Sequence, residues 1–166
     1  VKNGYKVYSC FACGGGSTMG YKLAGYDMIG ANDIDPQMAE IYKKNHNPKH
    51  YHLMDIRSLV QLKDLPEEMF NLDILDGSPP CSSFSMAGSR EKKWGEKKKF
   101  IEGQAEQTLD DLFFDFIDLA KRLQPKIVIA ENVKGLISGN AKQYVIEINQ
   151  AFSDAGYDAQ LFLLNG

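Results

Sequence analysis

Tyr5-Lys6-Val7-Tyr8-Ser9-Cys10-Phe11-Ala12-Cys13-Gly14-Gly15-Gly16-Ser17-Thr18-Met19-Gly20 is the stretch that decides the fold. Tyr5 to Phe11 has the aromatic and β-branched content of a strand. Cys13 to Gly16 is then a glycine turn, and Ser17 to Leu23 a short helix stopped by Gly25. Asp27 to Ala31 reads as a second strand. A strand, a glycine turn, a helix and a strand make a βαβ unit, which requires a parallel pair and a crossover. Ligands of such sheets sit beyond the carboxyl ends of the strands. The glycines allow close approach to the backbone, and the following helix offers free N–H groups. The spacing is not G-x-G-x-x-G, because Met19 fills the third position. A tight turn with no ligand therefore competes as an explanation of these glycines.

The chain continues in the same alternation. Asp33 or Asp35 ends the second strand, where a carboxylate can take ribose hydroxyls. Asp35 also caps a helix that has Pro36 at its first position and runs to about Asn45. Tyr51 to Met54 is a third strand ending at Asp55-Ile56. That pair suits an exocyclic amino group and the face of a flat ring, although Asp55 serves equally as a helix cap. Leu72 to Leu75 is a fourth strand, and Lys126 to Ala130 a fifth. Leu109, Leu112, Phe113, Phe116, Ala120 and Leu123 recur at helical spacing, and Pro125 ends that helix. Val145, Ile148, Phe152 and Ala155 mark another helix, stopped by Gly156. Tyr157 to Leu164 reads as a further strand. The fold class is α/β, a largely parallel sheet with helices on both faces, in one domain over residues 1–166.

Composition narrows the class. The 166 residues suffice for one core, with 43% hydrophobic and 25% charged residues. No apolar run reaches the length of a membrane helix, and no secretory signal pattern opens the chain. The expected location is cytoplasmic, or nuclear in a eukaryote. Net charge is -3, which argues against a wholly basic surface. Yet Arg90 to Lys99 carries six cations and two anions. This run lies in a polar, aperiodic segment from Ser82 to Gln107, and loops of that length in compact domains are usually functional. A solvated charged loop is the plainer alternative.

Two strand ends carry the chemistry. The fourth strand feeds Gly77-Ser78-Pro79-Pro80-Cys81. The two prolines fix their own φ and bias the residue before them toward extended geometry, so the thiol is held in place. The fifth strand delivers Glu131-Asn132-Val133. A placed thiol and a placed carboxylate at neighbouring strand ends suit covalent catalysis with an acid beside the nucleophile. A buried cysteine and a capping carboxylate are the plain alternatives.

These residues resemble the C5-cytosine methyltransferases that use S-adenosylmethionine. Phe11-Ala12-Cys13-Gly14-Gly15-Gly16 is similar to that family's cofactor motif, Ser78-Pro79-Pro80-Cys81 to its nucleophile motif, and Glu131-Asn132-Val133 to its acid motif. All three occur in family order. The resemblance implies a Rossmann-like S-adenosylmethionine-dependent methyltransferase fold. It implies methyl transfer to C5 of cytosine in DNA, through a covalent adduct between Cys81 and C6 of a flipped-out base. Glu131 would hold the N3 and amino edge of the ring, and Pro80 would pin the nucleophile. Phe11, Ala12, Gly14, Gly15 and Gly16 would line the cofactor pocket. Asp33 would take the ribose hydroxyls, Ile34 and Ile56 would pack the adenine, Asp55 would take its amino group, and Leu112 would touch the cofactor. Ser85, Arg90, Lys92 and Lys93 would meet nucleic acid from a loop that closes over the site. No metal and no membrane is implied.

Several positions depart from the family pattern. Cys13 stands for a glycine, Ser9 for an acid, Asp33 for a glutamate, and Asp110-Asp111 for small residues. The expected Gln-x-Arg-x-Arg segment, target-recognition region and final helix are absent. The chain therefore reads as an amino-terminal catalytic portion, with a missing carboxy-terminal region or a complementing subunit as partner. The expectation is weak or no methylation by this portion alone. Methylation of transfer RNA, and a non-catalytic cofactor-binding subunit, are the alternatives within the fold. A dithiol redox site at Cys10 and Cys13 is disfavoured, because three glycines spoil the helix it needs. A nicotinamide dehydrogenase leaves Cys81 and Glu131 without work. A zinc site lacks a second cysteine pair, and His50 and His52 alone do not make one.

Overall fold

The computed structural model describes residues 2–80, 97–98, 107–108, 112–133 and 142–164. Its centre is a five-stranded sheet in the order β3-β2-β1-β4-β7. These strands are β1 (Lys6–Cys10), β2 (Asp27–Asp33), β3 (His50–Leu53), β4 (Ile74–Gly77) and β7 (Ile127–Ala130), and every neighbouring pair is parallel. The helices are α1 (Gly16–Leu23), α2 (Pro36–His46), α3 (Ile56–Gln61), α4 (Leu112–Leu123) and α5 (Lys142–Asp154). The expected Rossmann-like architecture is thus present. A two-residue antiparallel ladder joins β5 (Lys97–Lys98), inside the segment expected to lack regular structure, to β6 (Gln107–Thr108) at its end.

Side chains alternate across the sheet, which sets the two cores. Tyr8, Cys10 and Leu75 face α3 and α4, where Leu59, Phe116 and Leu119 complete the larger core. Ala31 faces the other way, with Ala12 and Tyr42. An irregularity opposite Val7/Tyr8 adds a residue to β2, so Ile29 and Ala31 point to opposite faces despite their even spacing. Phe113, Ile117, Tyr144, Ile148 and Phe152 join α4 to α5.

Helix boundaries follow capping chemistry. Asp35 Oδ1 accepts from the backbone N–H groups of Gln37 and Met38, with Pro36 opening α2. Asp55 accepts from the N–H of Arg57 and starts α3, in line with the helix-cap alternative for that residue, whereas the 3₁₀ turn Glu67–Asn71 was not expected. The strand expected over Tyr157–Leu164 does not form. The Tyr157 hydroxyl donates to the Pro125 carbonyl at 2.8 Å, and the residues after it run without ladder partners, leaving Leu161 to Leu164 exposed. An extended apolar run becomes a strand only when a neighbouring edge takes up its backbone groups. Among the described residues no helix is long and apolar enough to cross a membrane.

Candidate active site

The carboxyl ends of β1, β2, β3 and β4 open onto one cleft of about 270 Å³, at the lower end of small-molecule sites. It brings together Phe11, Asp33, Ile34, Asp55, Ile56, Pro80 and Leu112, residues drawn from every motif of the cofactor half. Cys13, Asn32, Asp35, Met38, Met54 and Ser78 line it too. Sequence reasoning had singled out Cys13, Asp35 and Ser78 and passed over Asn32, Met38 and Met54. Met38 and Met54 carry no signal beyond being apolar residues beside a strand end. Ala12, Gly14, Gly15 and Gly16 are not on the wall. Ala12 sits in the core with Ala31 and Tyr42, Gly14 and Gly15 back onto α2, and Gly16 opens α1.

The turn is held under strain. Phe11 has φ +53° and Cys13 φ +45°, left-handed conformations that are rare for side-chain-bearing residues and persist where surroundings enforce them. Asp33 is one enforcing group. Its Oδ2 accepts from the Cys13 N–H at 2.8 Å and its Oδ1 from the Asp35 N–H at 2.9 Å. The Phe11 ring packs on Phe116 with centroids 6.3 Å apart. Gly15 has φ +91°, and a Cβ there would lie 2.2 Å from His46 Nε2. Only glycine fits between this turn and α2.

Three acids therefore stand at the ends of two neighbouring strands, β2 and β3, each with a second duty. Asp33 pins the turn and still faces the cleft. Asp55 caps α3 and lies 3.3 Å from Arg57 Nε, which is also 3.6 Å from Asp115. Asp35 spends one oxygen on the α2 cap. Both readings of Asp55, cap and cleft wall, hold at once.

The chain after β4 and the chain after β7 are tied together at Gly77 and Pro79. The Glu131 N–H donates to the Gly77 carbonyl at 3.0 Å, extending the β4–β7 ladder by one residue. Asn132 Nδ2 donates to the Pro79 carbonyl at 3.0 Å. Glu131 itself is exposed. Cys81, Ser85, Arg90, Lys92 and Lys93 lie outside the described residues.

The remaining titratable groups are structural. Burial pushes the Cys10 thiol well above its usual range, and Asp76 adds to the shift. Burial also raises Cys13, with Asp33 contributing. Both are free thiols, and raised thiols are poor redox nucleophiles. His50 pairs with Glu68 and His52 with the Tyr8 hydroxyl. The Tyr8 hydroxyl donates to the Ala31 carbonyl, so His52 donates to it from Nδ1. Among the described residues no group of three His, Cys, Asp or Glu could hold a metal ion.

A family model described as C-5 cytosine-specific DNA methylase matches residues 5–166. The type II methyltransferase M.FnuDI of Fusobacterium nucleatum is 36% identical over 160 residues, which are 96% of this chain and 41% of that protein. M.NgoPII of Neisseria gonorrhoeae is 33% identical over 163 residues, 98% of this chain and 43% of that one. The chain thus spans about two fifths of the length of these relatives. Among solved structures, an E. coli prophage-encoded protein described as a DNA modification methyltransferase superposes with TM-score 0.65 at 23% identity, over 90% of this chain and 38% of its own. The S. pombe Dnmt2 methyltransferase gives 0.58 at 22% identity, over 88% and 40%. At these identities the structural likeness bears on the fold.

Proposed function

We propose, from the premise that this chain belongs to the C-5 cytosine-specific DNA methylase family, that it is the S-adenosylmethionine-binding catalytic portion of a DNA cytosine-C5 methyltransferase. The observation that carries the reading is the pair of bonds from Glu131 and Asn132 to Gly77 and Pro79. They hold the acid motif against the nucleophile motif at the rim of the cleft.

The cleft's chemistry fits the cofactor. Its carboxylates suit a ribose diol and an adenine amino group, and its apolar walls suit a flat base. In this reading Asp33 takes the ribose hydroxyls, Ile34 and Ile56 pack the adenine, Asp55 takes its amino group, and Phe11 and Leu112 close the sides. Once bound there, S-adenosylmethionine supplies an electrophilic methyl group. The chain's residues prepare the acceptor. The Cys81 thiolate adds to C6 of the flipped cytosine, and the C5=C6 electron pair moves to make C5 nucleophilic. Glu131 binds the N3 and amino edge and stabilises charge as the thiolate adds. After C5 is methylated, loss of its proton re-forms the double bond and expels the Cys81 thiolate. Ser85, Arg90, Lys92 and Lys93 meet phosphates of the substrate. The polypeptide corresponding to the rest of the relatives' length supplies target recognition, so the portion alone methylates weakly.

The test uses the full-length protein, labelled S-adenosylmethionine and oligonucleotides carrying 5-fluorocytosine, whose C5 cannot lose a proton. A DNA adduct that survives denaturation and vanishes in Cys81→Ser supports the reading. Adducts on transfer RNA alone would move the substrate to RNA. Cofactor binding with no adduct on either would leave a non-catalytic subunit.

A further inference from the structure

One buried carboxylate has no cation partner among the described residues and no place on the cleft wall. Asp76 is 9% exposed and lies on the sheet face opposite Leu75 and Gly77. Three hydroxyls converge on it. Ser17 Oγ donates to Oδ2 at 2.7 Å, Ser9 Oγ to the same oxygen at 3.1 Å, and the Tyr21 hydroxyl to Oδ1 at 3.2 Å. Ser9 is its ladder partner on β1, and Ser17 and Tyr21 lie one turn apart on α1.

The consequence is a cross-tie. Ser9 and Ser17 bracket the strained glycine turn from both ends. Asp76 lies on β4, the strand whose sequence leads to the Pro-Pro-Cys run, five positions before Cys81. The first turn of α1 has no acidic residue, and its N-cap, Gly15, has no side chain to cap with. Negative charge near a helix N-terminus stabilises it, and here β4 supplies that charge. Burial raises the Tyr21 phenol, with Asp76 the next cause, so the phenol stays a donor.

We propose that Asp76 is a positioning residue that locks the glycine turn of the cofactor cleft to β4, the strand that leads into the nucleophile motif. The proposal rests on the methyltransferase reading for its effect on turnover, but not for the lock itself. Ser9 and Asp76 face each other across the ladder, so the carboxylate is transferable between the strands. Asp76→Ser removes it, Ser9→Asp places two side by side, and the double exchange restores one.

The experiment compares these three variants of the full-length protein with the parent. Amide hydrogen exchange is followed at residues 14–18 without ligand, with α4 amides as the gauge of global stability. Each single change is expected to speed turn exchange about tenfold or more relative to α4, and the double exchange to return it within about threefold. KM for S-adenosylmethionine should rise in the singles and recover in the double, with KM for DNA unmoved. Ser17→Ala and Tyr21→Phe, which each remove one hydroxyl, should speed turn exchange by smaller steps. Exchange that changes equally in the turn and α4, or a double exchange no better than its singles, would overturn the proposal. Absence of cofactor binding by the parent protein would count against the methyltransferase reading, while the exchange data would still judge the lock.

Discussion

At the scale of single residues, conformation and contact decide more than composition. Gly15 is the sharpest case, since its φ of +91° and the His46 ring both forbid a side chain. Gly15→Ala should cost about 2–4 kcal/mol from strain and overpacking together. Gly16→Ala meets nothing within 4 Å and should shift stability by less than about 0.5 kcal/mol. Thermal unfolding of the two variants side by side checks this, and equal effects would refute the steric account. Glu131→Gln leaves the Glu131 backbone bond to Gly77 intact, so the ladder should survive. Methyl transfer should fall by about 10²–10⁴-fold with cofactor affinity unchanged. Single-turnover rates and equilibrium binding separate these two quantities. The glycine turn and the position of Asp33 at the end of β2 were legible in the sequence because their chemistry is local, although the glycines themselves do not line the cleft. Asp76 was not, because its partners Ser9, Ser17 and Tyr21 lie 55–67 positions away and only the ladder register brings them together.

At the scale of elements, the helices are secured by groups from elsewhere as much as by their own propensity. The six residues of α3 are too few to stand alone. Its carboxyl end is closed by Arg122 of α4, whose guanidinium donates to the carbonyls of Leu59, Val60 and Leu62. A cation at that end also complements the helix dipole. Arg122→Met keeps the apolar stem and removes these charge-assisted bonds, at a cost of about 1.5–3 kcal/mol. The unfolding midpoint should drop by roughly 3–10 °C. No drop would mean that packing alone holds α3. The same dependence explains what sequence periodicity missed. The three-turn α4 announces itself through its apolar stripe, whereas α3 exists because Asp55 caps one end and Arg122 the other. Tyr157 to Leu164 has the composition of a strand, yet composition cannot provide the edge it would need. The five sheet strands were legible because each runs straight into a turn or a cap.

At the scale of the whole molecule, one buried histidine, His46, and one half-buried, His52, make stability respond to pH. Burial is the first cause lowering His46, the Lys22 ammonium adds to it, and hydrogen bonds at Gly15 and Gly14 oppose it. His46 Nδ1 has no partner among the described residues, which leaves a second proton unserved. Burial also lowers His52, with His50 adding to the shift. Both rings are neutral in the folded protein at pH values where the unfolded chain, titrating near 6.5, already binds protons. Uptake by the unfolded state exceeds uptake by the folded state below about pH 6.5, so stability is complete above that value and is lost as pH falls through the lower folded pKa values. Each histidine contributes a slope of at most about 1.4 kcal/mol per pH unit. Glu40, Glu68 and Asp73, held low chiefly by Lys44, Lys49 and Lys126, act only below their ordinary range near pH 4 and leave this window to the histidines. Urea unfolding between pH 7.5 and 5.5 should therefore show a falling midpoint. His52→Asn keeps a donor for the Tyr8 hydroxyl, and His46→Gln one for the glycine turn, so each should flatten the profile without moving its neutral-pH plateau far. A parent profile already flat across that range would show that neither ring is held neutral. The glycine turn would then rest on His46 as packing alone, with no proton-linked part in its stability.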